Sequence, residues 1–595
     1  MAPARRVCFF AHLMMLSAFS ATNTAADDRL ANAQSDQDNW LTYGHGYANQ
    51  RFSALRAINV NNVKRLVPAW IFQTGVVGTF PTNPLVVDGT MFVTTPFNHV
   101  IALDAASGAQ KWRYTHKLTE AKLCCGSHNR GIAWGNGKLF MITADARLLA
   151  LDAATGKLMW DIPVVDPMTG NASDLKAIEH FDPKSHDAFN RATRFAGNMA
   201  PLVHGDKVFV GVSGTGYSAV LGDAEKDSAS VLGRPGVRDG LRAFLSAYST
   251  LDGRLLWRWY STANQNWEGK FATRTSFGDK LDRDVSAERA DAAKYRDAWK
   301  TGGGSIYSTP SIDPALGLIY FGTGNASPGY ADYKRPGDNL YTSSVIALDA
   351  ATGEIRWYHQ LVPHDVWGYD AASPPVLLDV PDAAGKPVPA LAVASKSGWV
   401  YFLDRRNGTT LRRSEAFVPQ SSPMFQRATA AGVEVAPGAA GGANWPPSAY
   451  HPTTGLLYVP ATHNPTRYRL EKDADGHPVT VLSFSEQVER SGTLSAINPA
   501  NGKIQWQLKT DLPLMSGALA TAGGLVFTGE SNGDFIAVDA ASGRRLWRFA
   551  TGAGVNAPPI TYRVGTRQFV AVASGGHALF NFPLGDAVIA FALPQ

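Results

Sequence analysis

A short segment that recurs along the chain limits the fold more than any other feature of the sequence. Two clear copies run from Ala102 to Trp112 and from Ala150 to Trp160, and in each an apolar stretch leads through Asp-x-x-Ser/Thr-Gly to a tryptophan. Further copies span residues 247–257, 347–357, 496–506 and 537–547, and a seventh, residues 402–408, lacks the tryptophan. Each copy predicts a β-hairpin, because glycine supplies the positive φ that a tight turn needs.

The copies belong to units of four strands. Another hairpin precedes several of them, as in residues 84–94 and 202–210. A four-stranded sheet has two faces to bury, and radial stacking buries both while leaving only short edges. A tryptophan at a fixed place in each unit can fill the gap between sheets and bond the next unit's backbone through its N–H. The repeat therefore predicts an all-β propeller, with a β-solenoid as the alternative.

Seven copies with irregular gaps predict eight blades, the last of them formed by the two chain ends. The stretch from Ala587 to Ala592 is a plain strand that can pair with an early strand. We therefore predict one domain, residues 27–595, folded as an eight-bladed β-propeller closed by N- and C-terminal strands. Residues 286–300 depart from this pattern, because they contain helix formers throughout and predict a helix on an excursion between blades.

The N-terminus predicts export. Arg5 and Arg6 precede an apolar run from Val7 to about Ser20, and small residues and an acidic break follow it. This arrangement is typical of a secretory signal peptide, here residues 1–26, and the apolar run is short for a membrane span. An uncleaved anchor is the alternative. We expect an exported protein without a membrane span, which would be periplasmic in a Gram-negative cell.

Charge and cysteine content exclude several classes of partner. A net charge of +5 without a basic cluster gives no reason to expect a nucleic-acid partner. Of three cysteines, Cys8 lies in the predicted signal peptide, and Cys124 and Cys125 are neighbours. The sequence contains no Cys-x-x-Cys-His motif, so we expect no attached c-type haem and a separate electron acceptor.

Six further motifs are spread along the chain, at residues 40–53, 124–131, 302–307, 321–328, 363–370 and 442–447. Together they resemble the pyrroloquinoline quinone (PQQ)-dependent alcohol and glucose dehydrogenases, and the ending, with His577, is similar to the membrane glucose dehydrogenase branch. In that family PQQ lies flat in the central channel, between a disulfide of adjacent cysteines and an aromatic ring. A divalent or lanthanide cation polarises the quinone, and an aspartate takes the substrate proton while hydride passes to the quinone.

The resemblance implies PQQ and Ca²⁺, or a lanthanide, as cofactors, an alcohol as substrate, and a soluble electron acceptor such as a cytochrome c. It implies cofactor contacts for Cys124, Cys125, Arg130, Thr143, Ser213, Gly214, Ser305, Tyr307, Lys396 and Asn444. The two neighbouring cysteines match the disulfide, which an oxidising compartment permits. Two free thiols are the alternative.

Individual residues match the family to different degrees. Arg130 matches an arginine whose planar guanidinium pairs with a cofactor carboxylate. Tyr307 keeps an aromatic face where the family has a tryptophan, and Lys396 matches a lysine of the glucose branch that would polarise the quinone oxygens. Structural roles are the alternatives for Thr143, as a sheet residue, and for Lys396, as a solvated strand-end residue.

The predicted metal site is less complete than in the family. Asn325 matches a side-chain carbonyl ligand, since hard cations such as Ca²⁺ prefer oxygen donors; a turn asparagine is the alternative. The family's metal-binding glutamate aligns with Gly216, and the insertion that follows carries Asp223 and Glu225 as candidate replacements. A glutamate that contacts the cofactor from the first blade aligns with Pro81.

The motif at residues 367–370 departs most from the family. The usual base is an aspartate directly after the tryptophan, and that position holds Gly368 here. A second aspartate, Asp370, is retained, and lanthanide-dependent relatives use it as an additional metal ligand. Because residues two apart on an extended chain share a side, Asp370 is our candidate base and metal ligand, with His364 and Asp365 as nearby substitutes.

These features predict a PQQ-dependent dehydrogenase that oxidises an alcohol, with a bulky secondary alcohol or a sugar among the candidate substrates. One alternative is a quinone-binding paralogue in which Gly368, Gly216 and Pro81 have weakened catalysis. Another is a non-enzymatic scaffold propeller, against which the retained channel-facing polar residues argue.

Overall fold

The computed structural model describes residues 29–117, 128–164, 196–214 and 241–594, apart from 383, 474 and 486. In these ranges the chain consists mainly of β-sheets and loops. The helices that lie wholly within these ranges are the α-helix Val285–Asp291 and the 3₁₀ helices Ala33–Ser35, Val63–Arg65, Pro96–Asn98, Ala298–Thr301, Asp332–Lys334 and Ala578–Phe580. None of the helices in the described ranges has the length and apolar character needed to cross a bilayer.

Within the described ranges, eight sheets share one design, an antiparallel run of four strands, and we name them I to VIII. Sheet I comprises Leu85–Val87, Thr90–Thr94, Val100–Asp104 and Gln110–Tyr114; sheet II, Ala133–Gly135, Lys138–Ile142, Arg147–Asp152 and Leu158–Pro163; sheet III, Leu202–His204, Lys207–Gly211, Phe244–Ser249 and Leu255–Tyr260; and sheet IV, Ser311–Asp313, Leu318–Gly322, Ser344–Asp349 and Ile355–Gln360.

The second half of the chain repeats the design. Sheet V comprises Val376–Pro381, Pro387–Ala394, Val400–Asp404 and Thr410–Arg413; sheet VI, Ala449–His451, Leu456–His463, Ser491–Ile497 and Ile504–Thr510; sheet VII, Leu519–Thr521, Leu525–Gly529, Asp534–Asp539 and Arg545–Ala550; and sheet VIII, Ile560–Val564, Arg567–Ser574, Ala587–Ala592 and Val67–Gln73. Strand Phe52–Ser53 adds to sheet VII in parallel, and Val433–Val435, Thr466–Lys472 and Pro478–Phe484 form a small ninth sheet.

Sheet VIII joins the two ends of the chain. Its early strand, Val67–Gln73, pairs antiparallel with its last strand, Ala587–Ala592, so that Trp70 lies opposite Ala590. The pairing of an early strand with Ala587–Ala592 was expected from the sequence. The described sheets form an all-β propeller, as the repeat predicted.

The recurring turn has a local cause. In sheet I the Asp104 carboxylate accepts hydrogen bonds from the backbone N–H groups of Ala106 and Ser107, and Gly108 follows with a φ of 75°. Aspartate favours such turns because its short side chain bonds the backbone two and three residues ahead. Related turn sequences at the repeats, with Ser249 or Asn498 in place of the aspartate in two of them, therefore produce similar hairpins.

Each repeated tryptophan ties its sheet to the next one. The indole N–H of Trp112 in sheet I donates to the carbonyl of Ala153 in sheet II, at 3.2 Å. Equivalent bonds run from Trp70, Trp160, Trp257, Trp357, Trp506 and Trp547 to the carbonyls of residues 105, 251, 350, 405, 540 and 66. The tryptophans therefore act between sheets, as the sequence predicted.

The repeat without a tryptophan uses an arginine instead. Arg412 of sheet V stands where the other copies have tryptophan, and its guanidinium donates to the carbonyls of Pro499 and Ala500 beside sheet VI. A long side chain with several donors can replace an indole N–H across the same gap. The sequence showed only that the tryptophan was missing.

In six of the seven repeats the glycine of the turn also packs against a tryptophan ring, which yields a stability prediction. A Cβ at Gly156 would lie 2.4 Å from the Trp112 ring, whereas a Cβ at Gly137 of the same sheet would meet no atom of the described residues within 4 Å. Both glycines have a φ of 72°, so alanine costs the same backbone strain at each. We expect Gly156→Ala to destabilise by about 1–3 kcal/mol more than Gly137→Ala, because it overpacks the gap between sheets. Denaturant midpoints of the two variants measure this, and equal midpoints would contradict it.

The predicted helix at residues 286–300 is shorter in the structure. The α-helix spans Val285–Asp291, and a 3₁₀ helix, Ala298–Thr301, follows after turns. Asp284 begins the α-helix by accepting a hydrogen bond from Ala287 N. No residue of the α-helix is buried, and without an apolar face packed on the protein its propensity alone does not extend it.

Candidate functional site

The predicted site residues lie at two positions that recur from sheet to sheet. One group precedes the first strand of its sheet, and the other follows the second strand. Because these two strands run antiparallel, both groups lie at the same end of each sheet. The first group is Arg130, Tyr307, Asp370 and Asn444, and the second is Thr143, Ser213, Asn325 and Lys396.

Asp370 is the centre of a buried polar cluster. Its Oδ2 atom accepts hydrogen bonds from the Tyr307 hydroxyl at 2.6 Å and from Lys396 Nζ at 2.7 Å. Its Oδ1 atom accepts from the backbone N–H of Asn325 at 2.6 Å. The carboxylate is only 3% exposed, so an ion pair with Lys396 compensates for its removal from water. Four predicted site residues from sheets IV and V thus meet in one hydrogen-bonded group.

Lys396 is buried as well. It is 6% exposed and extends from the end of the second strand of sheet V to Asp370. A solvated strand-end lysine, the structural alternative from the sequence, is therefore wrong. The Lys396 ammonium is a fixed cation inside the site.

Asp365 shapes the segment that carries Asp370. Its Oδ1 atom accepts the backbone N–H groups of Trp367 and Gly368, and its Oδ2 atom accepts the Ser343 hydroxyl at 2.9 Å. Burial, followed by the nearby charge of Asp370, raises the pKa of Asp365. Asp365 is therefore engaged in holding the turn, which makes Asp370 the better candidate base.

His364 is also engaged on both sides of its ring. Nδ1 lies 2.7 Å from the carbonyl of Gly337, and Nε2 lies 3.2 Å from Asp332. Burial is the main reason why the pKa of His364 is lowered. Neither ring nitrogen is left to act as a substitute base.

Arg130 lies between two aromatic rings. Its guanidinium carbon is 5.4 Å from the centroid of the Tyr307 ring and 5.2 Å from that of Trp445. One guanidinium nitrogen donates to Asn198 Oδ1 at 2.6 Å and to the Tyr307 carbonyl at 3.3 Å. Asn198 in turn contacts His128 Nε2 at 3.1 Å. Through Tyr307, Arg130 is linked to the cluster around Asp370.

Ser213, Gly214 and Ser305 lie together beside this site. Gly214 N donates to the Ser305 hydroxyl at 3.2 Å. A Cβ at Gly214 would come within 2.3 Å of the Leu241 carbonyl, so only glycine fits. In the described part of the chain, the Ser213 hydroxyl is buried without a hydrogen-bond partner. Burying such a hydroxyl costs free energy unless a ligand or a water molecule forms a hydrogen bond with it.

Thr143 and Asn444 make local hydrogen bonds. The Thr143 hydroxyl donates to the Arg147 carbonyl and accepts from Arg147 N, which closes the turn after a strand of sheet II. Asn444 bonds the Ala440 carbonyl and Trp445 N. These bonds give both residues a structural task, and their cofactor contacts stay predictions.

Two further residues lie in the same positions, although the sequence did not predict them as site residues. Asn464 follows the second strand of sheet VI; it is fully buried, and neither atom of its amide has a partner within the described ranges. His577 follows the second strand of sheet VIII, and its Nδ1 is likewise unsatisfied there. Burial and then the Arg130 charge lower the pKa of His577 to about 3, so the ring is neutral. Aligning the repeats could have predicted both residues, because each follows the second strand of its sheet.

Several predicted residues lie outside the described ranges. Cys124 and Cys125 belong to residues 118–127, and Gly216, Asp223 and Glu225 belong to residues 215–240. Their roles stay predictions. Pro81, which aligns with a family glutamate, is described and buried.

The donors fit a flat anionic redox cofactor and a hard cation. Arg130 and Lys396 supply positive charge, and Tyr307 and Trp445 supply aromatic faces. The unsatisfied buried atoms of Ser213, Asn464 and His577 are available to polar groups of a ligand. Asn325 and Asp370, joined by a hydrogen bond, offer oxygen donors of the kind that Ca²⁺ and lanthanides prefer. Fold and site together define a propeller with a buried site that contains two cationic side chains, Arg130 and Lys396, and is formed by loops at one end of its sheets.

Comparison with known proteins agrees with this class. Residues 40–424 and 488–570 match the beta-propeller domain of the PQQ glucose/ethanol/alcohol dehydrogenase family. The quinoprotein alcohol dehydrogenase PedH of Pseudomonas putida is 32% identical over 590 residues, which cover 94% of this chain and 90% of PedH. The lanthanide-dependent methanol dehydrogenase of Methylacidiphilum fumariolicum is 32% identical, over 96% of this chain and 91% of its own.

Solved structures agree as well. The quinohemoprotein alcohol dehydrogenase from Comamonas testosteroni superposes with a TM-score of 0.76 at 29% identity, covering 96% of this chain and 83% of that one. A europium-containing methanol dehydrogenase gives a TM-score of 0.76 at 29% identity, covering 95% and 100%. The chain therefore belongs to the family of PQQ-dependent alcohol dehydrogenases. The predicted resemblance and enzyme class are confirmed, and the scaffold alternative is wrong.

Proposed function

We propose that this protein is a periplasmic dehydrogenase that uses PQQ and Ca²⁺, or a lanthanide, to oxidise an alcohol to the carbonyl compound. Candidate substrates include bulky secondary alcohols and sugars, and the electrons pass to a separate soluble acceptor such as a cytochrome c. The observation that carries the proposal is the buried cluster in which Tyr307, Lys396 and Asn325 surround the Asp370 carboxylate.

The cofactors would be held by groups from several sheets. Arg130 would pair with a carboxylate of PQQ, and Lys396 would face its quinone oxygens. Tyr307 would support one ring face, and Ser213, Ser305 and Asn464 would bond polar edges. Asn325 and Asp370 would bind the cation. Thr143, Gly214 and Asn444 complete the predicted set.

Asp370 is the proposed base. When bound, PQQ with its cation would supply the acceptor for the hydride of the alcohol carbon. Asp370 would receive the hydroxyl proton, and the Lys396 ammonium lies 2.7 Å from its carboxylate. Because the Asp370 carboxylate is buried, water is excluded from it, and the proton acceptor is this carboxylate rather than a solvent molecule.

We also infer that sheets I to VIII are the eight blades of one closed ring, and that residues 27–595 are a single domain behind a signal peptide, residues 1–26. Among the described residues, eight links between sheets support the ring, seven through tryptophan and one through Arg412. The link from Trp547 returns to Leu66, directly before the early strand of sheet VIII.

The neighbouring cysteines, Cys124 and Cys125, are proposed to form a disulfide against the cofactor. We expect no free thiol when the exported protein is unfolded without reductant, because an oxidising compartment maintains the bond. Thiol titration measures this, and two free thiols per chain would contradict the proposal.

Reconstitution tests the function. The exported protein is incubated with PQQ and either Ca²⁺ or a lanthanide, and reduction of an artificial dye is followed with a panel of primary, secondary and sugar alcohols. We expect dye reduction that depends on PQQ, cation and alcohol. A quinone absorbance shift without turnover would instead favour the paralogue with weakened catalysis. The observation that supports this alternative is Gly368, which stands where the family has its base.

A further inference from the structure

The hydroxyl of another residue lines the space beside Gly368. Gly368 has a φ of 81°, and a Cβ built on it would lie 3.2 Å from Tyr330 Oη and 3.3 Å from Ala439 Cβ. The family has the carboxylate of its base at this position. Here a phenol oxygen stands directly against the backbone that would have carried that carboxylate.

A buried arginine fixes Tyr330 in this place. Tyr330 lies on the loop between the second and third strands of sheet IV. Arg335, which is 0% exposed, donates from Nε to the carbonyl of Pro328 and from Nη2 to the carbonyls of Gly329 and Asp365, all at 2.7–2.8 Å. One guanidinium therefore ties the backbone preceding Tyr330 to the segment that carries Gly368. A planar donor with several N–H groups is suited to hold two segments in one geometry.

The small ninth sheet holds Tyr330 from the other side. The backbone N–H of Thr480 donates to the Tyr330 carbonyl at 2.8 Å, and the Tyr468 hydroxyl donates to the Trp367 carbonyl at 2.6 Å. Tyr330 and the Trp367–Gly368 segment are thus bonded to adjacent strands of the same sheet. Their relative position is set by the fold.

The Tyr330 hydroxyl is available to a ligand. The residue is half-buried, and within the described ranges its hydroxyl has no hydrogen-bond partner. Burial, with the nearby charges of Asp365 and Asp370, raises the pKa of Tyr330. The phenol is therefore protonated at neutral pH and can donate a hydrogen bond. It cannot replace the missing aspartate as a base, but it can bind an oxygen that loses its proton to another group.

We propose that the Tyr330 hydroxyl binds the oxygen of the substrate alcohol in the space that Gly368 leaves open and orients that oxygen toward Asp370. This inference rests on the proposed function and divides the task of the family aspartate between two residues. Tyr330 holds the substrate oxygen, and Asp370 takes its proton. A neutral donor also stabilises the negative charge that develops on that oxygen as the proton leaves.

Tyr330→Phe tests the proposal in the PQQ-loaded protein. We expect kcat/KM for the best alcohol of the panel to fall about 10- to 100-fold, because one hydrogen bond to the reacting oxygen is lost. PQQ affinity, followed by quinone absorbance, should be unchanged. The matched control is Tyr333→Phe, since the Tyr333 hydroxyl donates to Asp473 at 2.9 Å on the adjacent hairpin turn. That variant should retain wild-type kinetics.

Binding of a tertiary alcohol provides a readout without turnover. A tertiary alcohol has no hydrogen on its carbinol carbon and cannot be oxidised to a carbonyl compound. Calorimetric titration of the loaded protein with such an alcohol should give a Kd about tenfold higher for Tyr330→Phe than for wild type or Tyr333→Phe. Equal Kd and equal kcat/KM in wild type and Tyr330→Phe would overturn the proposal. Wild-type protein that binds the tertiary alcohol but oxidises nothing would refute the proposed function, while the Kd comparison would still decide on Tyr330.

Gly368→Ala gives an independent check. The new methyl group would lie 3.2 Å from the Tyr330 hydroxyl oxygen, which must then shift by a few tenths of an ångström, so kcat/KM should fall as in Tyr330→Phe. In the double variant, the second change should add little, because both act on the same hydroxyl. Losses that multiply in the double variant would show that Gly368 and Tyr330 act separately and would overturn the proposal.

Discussion

Replacing Asp370 with asparagine is expected to lower kcat by about 10²- to 10⁴-fold, the usual loss when a general base is removed. The amide cannot accept the substrate proton. Its oxygen can still accept hydrogen bonds from the Tyr307 hydroxyl or from Asn325 N. The geometry of the site should therefore survive while the chemistry fails.

Steady-state dye reduction with PQQ-loaded protein measures this loss. The matched control is Asp382→Asn, an exposed turn residue at the opposite end of the first two strands of sheet V, whose carboxylate bonds only turn N–H groups in the described structure. That variant should keep wild-type kcat. Activity of Asp370→Asn within a few-fold of wild type would show that Asp370 is neither base nor metal ligand.

Asp370→Asn should also reduce stability, because it leaves the Lys396 ammonium buried without its counter-ion. Breaking a buried ion pair from one side costs about 3–5 kcal/mol. The double variant Asp370→Asn/Lys396→Gln removes both charges and should recover most of this stability without recovering turnover. Circular dichroism during denaturation separates this effect from the loss of catalysis.

Replacing Arg130 with alanine is expected to weaken PQQ binding by roughly 10²- to 10³-fold, because a buried charge-assisted pair with a cofactor carboxylate is lost. Arg130 lies between the Tyr307 and Trp445 rings, where little water can replace it. Lysine at this position keeps the charge but loses the planar pair of donors, so Arg130→Lys should have an intermediate affinity.

Titration of the apoprotein with PQQ, followed by absorbance, gives the affinities directly. Arg113→Ala is the control, because Arg113 lies exposed on sheet I and donates to the Thr74 carbonyl away from the site. Its PQQ affinity should equal that of wild type. An unchanged affinity in Arg130→Ala would remove Arg130 from the cofactor site.

The fold was predictable from local sequence, because six of the seven repeats contain both the residues that form the turn and the tryptophan that packs beside it. Aspartate and glycine form the turn within five residues, as Asp104 and Gly108 do, and the tryptophan follows at a constant spacing. Residues 286–300 show the limit of this reasoning. Helix propensity is local, but the helix length depends on packing, and no residue of Val285–Asp291 is buried.

The site was predictable only in part, and mainly through resemblance to a family. Motif matches named Asp370, Lys396, Tyr307 and Asn325, but nothing in their spacing states that one carboxylate accepts from the other three. The family pattern also gave no account of Gly368, because the group beside it belongs to a loop of another sheet.

By itself, the sequence determined the type of blade, the turn chemistry and the tryptophan of six repeats, because each repeat is a pattern within about a dozen positions. The tertiary structure alone decided that Arg412 replaces a tryptophan, that Asn464 and His577 are buried with unsatisfied atoms, and that Tyr330 stands against Gly368. Such contacts join loops from different sheets, and their distances follow from how the sheets pack, which no local pattern records.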